Sequence, residues 1–225
     1  TAPLEIINKN TIVIDGQGRY TISLNEDAKN KKNMFVLKNS NAIVVKNVTI
    51  EDYYSTAIFL YKAENVFVED VVLKGQAITD ENDTRSNVGI DLDGATAKIS
   101  NIKSMNHRYA GIRVRNESEI TLDGRNEHTD DKNDIDSQVK TGSKDNIIND
   151  NSSNYSEWEV KTGTDQTSTI YKVKTIIDVN NLTDFKKAIE IENTTITLTD
   201  DLDINEKVEV KANNITIDGA SHQIN

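Results

Sequence analysis

The feature that most constrains this chain is a motif that returns every 22 or 23 residues. Met34-Phe35-Val36-Leu37-Lys38, Ala42 to Val45 and Val48-Thr49-Ile50 form one copy. They are matched 23 positions later by Ala57-Ile58-Phe59-Leu60-Tyr61, Asn65 to Val68 and Val71-Val72-Leu73. A third copy starts at Gly89-Ile90-Asp91-Leu92-Asp93 and continues with Ala97-Lys98-Ile99 and Ile102. A fourth reads Gly111-Ile112-Arg113-Val114-Arg115 and Ile120-Thr121-Leu122, and a fifth lies upstream at Leu4-Glu5-Ile6 and Ile12-Val13-Ile14. The steps from Phe35 to Ile58 to Ile90 to Ile112 are 23, 32 and 22, the long one carrying the polar insert Thr79 to Ser86.

Each copy holds three short strands whose side chains alternate between two faces. Strands this short cannot make a stable hairpin sheet. They can stack on their own equivalents about 4.8 Å away along one axis, which buries a continuous column. The expected fold is therefore all-β: a right-handed parallel β-helix with three strands per coil of about 22 residues. The expected columns are Phe35/Ile58/Ile90/Ile112 over Leu37/Leu60/Leu92/Val114, and Ile43/Val66/Ala97/Ile120 over Val45/Val68/Ile99/Leu122. A third is Val48/Val71/Ile102 with Ile50/Leu73. Asn47, Asp70 and Asn101 recur at one turn, either as a hydrogen-bonded stack or as ordinary turn residues. Composition agrees, with one proline and 27 asparagines in 225 residues.

A longer repeat overlies the short one. Asn213-Asn214-Ile215-Thr216-Ile217-Asp218-Gly219 echoes Asn10-Thr11-Ile12-Val13-Ile14-Asp15-Gly16 at an offset of 203. Ahead of the echo, Phe185, Ala188 and Ile189 share one helical face, predicting a short capping helix near residues 182–191 with Thr183 or Asp184 as N-cap. Three segments follow: coils over 1–124, a polar connecting segment or loop over 125–172, and over 173–225 the cap helix and first coils of a following unit. The first unit shows no such cap of its own. Half-units at both ends predict exposed coil edges and end-to-end or swapped association.

The coils from Leu4 to Gly124, the segment Thr175 to Asn205 and Asn214 to Gly219 together resemble the pectate lyase superfamily. The nearer resemblance is to the pectate-lyase-like adhesive domains repeated in tandem on Gram-positive surface proteins. That resemblance implies a secreted, cell-wall or cell-surface protein with an adhesive, carbohydrate-binding or spacer role. Its implied partners are host glycan or matrix protein and neighbouring repeats of the same protein.

Candidate chemistry sits on the outward face of the first strand of each coil. Phe59 and Tyr61, Asp91 and Asp93, and Arg113 and Arg115 fall one coil apart, with His107 on the turn leading into the arginine strand. One reading is a calcium-dependent polysaccharide lyase acting on uronates by β-elimination. Asp91 and Asp93 would hold Ca²⁺, Arg113 or Arg115 would take the proton, and an aromatic ring would stack on sugar. The other reading is a non-catalytic ladder of ion pairs. The second is favoured, because an arginine paired with a carboxylate is no poised base. The lyases' Trp-x-Asp-His and Arg-x-Pro-x-x-Arg signatures are also missing, as are the related hydrolases' Asn-Thr-Asp-Gly and Gly-His-Gly. No cofactor is required, though calcium remains open. Asp80, Asn82 and Asp91 span a calcium-loop length, but Arg85 stands where the tight turn needs glycine. His107, His128 and His222 read as isolated surface or turn residues.

The remaining exclusions follow from charge and composition. A net charge of −11 argues against nucleic acid and against anionic lipid surfaces. Cysteine is absent, which removes disulfides and thiolate metal sites. The longest apolar runs are four or five residues, too short for a membrane span. A chain opening at Thr1-Ala2-Pro3 reads as an excised fragment, so a missing signal peptide does not bear on secretion.

Overall fold

A computed structural model describes residues 3–23, 33–76, 87–152 and 154–225. Among the described residues the chain is nearly all β, with one helix and mostly parallel pairing. It divides into two compact units, Thr1–Lys172 and Val173–Asn225. No described helix is long and apolar enough to cross a membrane.

The first unit is built on three ladders that the chain visits in turn. The first holds β1 (Leu4–Ile7), β3 (Phe35–Lys38), β5 (Thr56–Tyr61), β8 (Val88–Asp93), β11 (Ala110–Arg115) and β14 (Ile135–Lys140), all parallel. The second holds the leading halves of β2 (Asn10–Ser23) and β4 (Asn41–Glu51), then β6 (Val66–Glu69), β9 (Thr96–Ser100), β12 (Glu119–Asp123) and β15 (Ile147–Asp150). The third holds the trailing halves of β2 and β4, then β7 (Val72–Lys74), β10 (Lys103–Met105) and β13 (Glu127–Thr129).

The register is the one the spacing demands. Phe35 pairs Ile58, Ile58 pairs Ile90, and Ile90 pairs Ile112. Val45 pairs Val68, which pairs Ile99, which pairs Leu122. These columns are 0–2 % exposed, and each full burial of such a side chain contributes about 1.5–3 kcal/mol.

Between ladders the chain turns sharply, and the turns explain the asparagine content. Asn39, Asn47, Asn65, Asp70, Asn101 and Asn106 all take left-handed backbone, with φ between 47° and 62°. Asn and Asp tolerate this region better than other L-residues because their short side chains hydrogen-bond locally. At Asn47 and Asn101 both sequence readings hold together. Asn47 Nδ2 donates to Asp15 Oδ1 (3.1 Å), and Asn101 Oδ1 accepts from Arg125 N (2.9 Å), each bond running to the neighbouring coil.

Residues 125–172, read above as a polar connecting segment or loop, include several strands. Beyond β13, β14 and β15 lie β16 (Tyr155–Thr162) and β17 (Gln166–Val173). β17 runs antiparallel to β14, with Ile135 opposite Tyr171, and β16 neighbours β17. Six of the eight β16 residues face solvent, whereas most of β17 is only partly exposed. The far edge of the first ladder is thus covered by a strand of opposite sense, a standard protection for a sheet edge.

The second unit is smaller. β18 (Thr175–Val179), β19 (Thr194–Leu198) and β20 (Ile215–Asp218) pair in parallel. α1 (Leu182–Ala188) lays Phe185 and Ala188 into a core with Val179, Ile196 and Leu198. Its N-cap is Asn181, not Thr183 or Asp184. Asn181 keeps extended backbone and its Oδ1 accepts from Asp184 N at 2.9 Å. Asp184 returns the contact by accepting from Asn181 Nδ2 at 2.8 Å, a reciprocal cap that places it inside the first turn.

Candidate functional site

The outward side chains of the first ladder meet in register. Phe59 pairs Asp91, Asp91 pairs Arg113, and Arg113 pairs Asp136. One position further along each strand, Tyr61 pairs Asp93, Asp93 pairs Arg115, and Arg115 pairs Gln138. Period-two alternation puts all eight on one face.

Asp91 is the hub of this face. Its Oδ1 accepts from Arg113 Nε (3.0 Å) and Arg115 Nε (3.1 Å), and its Oδ2 accepts from both Nη2 groups, that of Arg115 at 3.1 Å. Four charge-assisted bonds saturate one carboxylate, whose side chain is 3 % exposed. Burial pulls the Arg113 guanidinium down, but its hydrogen bond and charge interaction with Asp91 outweigh this and the net direction is up. Asp93 takes the third arginine nitrogen, Arg115 Nη1, at 3.1 Å and accepts from Asn116 Nδ2 at 2.6 Å.

The aromatic rings are partly covered by cations. Arg115 lies 5.8 Å from the Phe59 centroid, and Lys38 and Lys62 each lie 5.4 Å from that of Tyr61. Phe59 and Tyr61 neighbour each other, with centroids 6.3 Å apart.

The face extends one strand further than the sequence reading took it. Gln138 Nε2 donates to Asp136 Oδ2 (2.8 Å) and to the Tyr109 hydroxyl. Asp136 Oδ1 is buried, with no hydrogen-bond partner among the described residues. Burial, then the hydrogen bond with Asp136, pushes the Tyr109 hydroxyl up to about 12. Asp136 and Gln138 lie 23 residues after Arg113 and Arg115. The same repeat step reaches them, but Ser137 stands at the core position and hides this last parallel strand of the ladder.

His107 does not line this face. Its side chain is fully buried, stacked on Tyr53 with centroids 5.8 Å apart. Neither His107 nor His128 is an isolated surface residue: both sit on one buried carboxylate. Asp131 Oδ1 accepts from His107 Nδ1 and Oδ2 from His128 Nδ1, each at 2.8 Å. Ser104 Oγ adds a donor at 2.6 Å and His107 N another at 3.0 Å. The far ring nitrogens meet the hydroxyls of Tyr53 and Tyr155. The result is a Tyr–His–Asp–His–Tyr chain closed to solvent, tying successive coils together. Burial opposes the Asp131 charge, but the bonds from His107 and His128 prevail and hold its carboxyl well below the usual range. The cluster is hidden in the sequence because these partners lie 24 and 3 residues from Asp131, His107 on a turn and His128 in β13. His222, half-exposed, stands 3.5 Å from Asp201.

Among the described residues no group of three or more His, Asp or Glu is arranged to hold a metal ion. Asp80 and the insert around it lie outside the described residues. Asp91 and Asp93 share Arg115, so a cation at Asp91 would have to displace guanidinium groups. A separate trough of about 220 Å³ crosses the outer face of β6, β9 and β12, lined by Phe67, Lys98, Glu119 and Thr121 among others. Phe67 is 42 % exposed there, a residue that the repeat analysis did not single out.

No family model, curated protein or solved structure matches this chain.

Proposed function

We propose that this chain is a non-catalytic repeat module of an extracellular cell-wall or cell-surface protein. It forms a right-handed parallel β-helix of the kind seen in pectate-lyase-like adhesive domains, and it binds host glycan or matrix protein along its outer face. The observation that carries the reading is the fourfold engagement of Asp91. A lyase would need that carboxylate for calcium and one arginine as a base, yet each satisfies the other. The three-ladder order supports the β-helix, since parallel crossovers are right-handed in about 98 % of cases. A stack of this type grows linearly with repeats, which suits a stalk or projecting adhesin.

Screening the chain against glycans and matrix proteins, with and without Ca²⁺, tests the proposal. The expected result is binding without cleavage, weakened several-fold in Phe59→Ala or Phe67→Ala. Formation of unsaturated uronate product, abolished in Arg113→Ala, would establish the lyase instead. No binding to any glycan or protein would leave a purely structural stalk.

A further inference from the structure

The trough on the second ladder is shaped by side chains that the fold itself does not require. Along the outer face, Val44 pairs Phe67, Phe67 pairs Lys98, Lys98 pairs Thr121 and Thr121 pairs Asn149. Inward positions must be aliphatic to fill their column, but outward ones carry no such demand, and Phe67 is the one aromatic ring in this row. Two residues back along β9 and β12, Thr96 pairs Glu119. The trough lies between the two rows. Thr96 and Thr121 are short there, while Phe67 stands on the β6 side and Glu119 on the β12 side. Those strands are two spacings apart, about 9–10 Å. A volume of about 220 Å³ falls below the roughly 300–1,000 Å³ of pockets that enclose a whole ligand. It suits one ring of a longer molecule.

Charge narrows the occupant. Lys98 Nζ sits 2.8 Å from Asp123 Oδ2. Asp123 and Glu119 stand on opposite sides of Thr121 along β12. The ammonium is therefore drawn away from Glu119, and its methylene stem is left along the wall. The Glu119 carboxylate has one hydrogen bond among the described residues, accepted from Asn149 Nδ2 at the long distance of 3.5 Å. It keeps acceptor capacity for a ligand. An anion in the trough meets Glu119, and a cation meets Lys98. A neutral polyhydroxylated ring conflicts with neither. Its C–H face can cover Phe67, and its hydroxyls can donate to Glu119 and exchange bonds with the Thr121 hydroxyl.

We propose that this trough is a subsite for one neutral pyranose ring of a host glycan, with Phe67 as the platform and Glu119 as the acceptor of adjacent hydroxyls. This rests on the glycan-binding reading above and narrows it, because Glu119 turns uronates and other acidic sugars away.

Calorimetric titration of the full chain tests it, with neutral oligosaccharides (galactan, mannan and glucan fragments), oligogalacturonate and oligolysine as probes. The expected result is binding of a neutral oligosaccharide about ten-fold tighter than of either charged probe. Phe67→Ala and Glu119→Gln should each weaken it by about five-fold or more, and Phe67→Tyr should keep it within about two-fold. Both side chains are exposed, so thermal midpoints should match the parent chain. Tighter binding of oligogalacturonate or of oligolysine would overturn the subsite. So would full affinity in Phe67→Ala or in Glu119→Gln. Loss in Phe59→Ala with none in Phe67→Ala would place the glycan on the first ladder, overturning the trough while the binding module stands. Absence of saccharide binding also overturns the trough, and only if matrix proteins are ignored as well does the binding module fall with it.

Discussion

Arg113 and Asp91 lie directly opposite each other on neighbouring strands and are joined by a two-pronged ion pair. Arg115 reaches diagonally to the same carboxylate, so one buried Asp serves two partly exposed guanidinium groups. Removing the Asp would leave Arg113 without its carboxylate and Arg115 with Asp93 alone. Asp91→Ala is therefore expected to lower unfolding free energy by about 3 kcal/mol. Asp93→Ala, at a more exposed position with one arginine contact, should cost at most about 1 kcal/mol. Urea titration of both variants checks the ordering; equal costs would remove Asp91 from its central place.

The Asp131 carboxyl titrates lower in the folded chain than in the unfolded one. A depressed carboxyl stabilises the fold fully above its unfolded pKa of about 3.9 and loses that contribution as pH falls toward the folded value. Stability should thus drop steeply below about pH 4. Asp131→Asn should be destabilised at pH 7 by about 2–4 kcal/mol, with a flatter acid limb. Thermal unfolding between pH 2 and pH 7 (on the order of ten points) would show it. Parallel acid limbs in the two proteins would count against the buried His–Asp–His arrangement.

Gly111 is held small by the same cluster. A Cβ there would stand 2.4 Å from His128 Nδ1 and 2.5 Å from Asp131 Oδ2. Both atoms are fixed by other bonds, so Gly111→Ala is expected to cost about 1–3 kcal/mol. At Gly163 the nearest atom is 3.2 Å away, and Gly163→Ala should cost clearly less. Denaturation midpoints of the pair decide it.

The three ladders were legible because burial alternates along each strand and recurs at a fixed step. Ile58, Ile90 and Ile112 announce their column through identity alone. β14 was not legible, because Ser137 interrupts the column and the flanking chain is polar. The outer-face pairing of Asp91 with Arg113 followed from a 22-residue spacing. Its saturation did not, since spacing cannot tell whether Arg115 reaches Asp91 as well as Asp93. The histidines were misread for a related reason. Their partner Asp131 lies in an acidic run that looks solvated, and only the coil-to-coil contact shows it buried.

The stacking of residues 22 to 32 positions apart is the claim on which all else depends, and cysteine pairs on the outer face of the second ladder test it most directly. Phe67 pairs Lys98, and Lys98 pairs Thr121. Phe67→Cys/Lys98→Cys and Lys98→Cys/Thr121→Cys are expected to oxidise to completion within single chains. Phe67→Cys/Thr121→Cys, two strands apart at about 9–10 Å, should stay reduced. Linking of the distant pair, or free thiols in both near pairs, would contradict the stack.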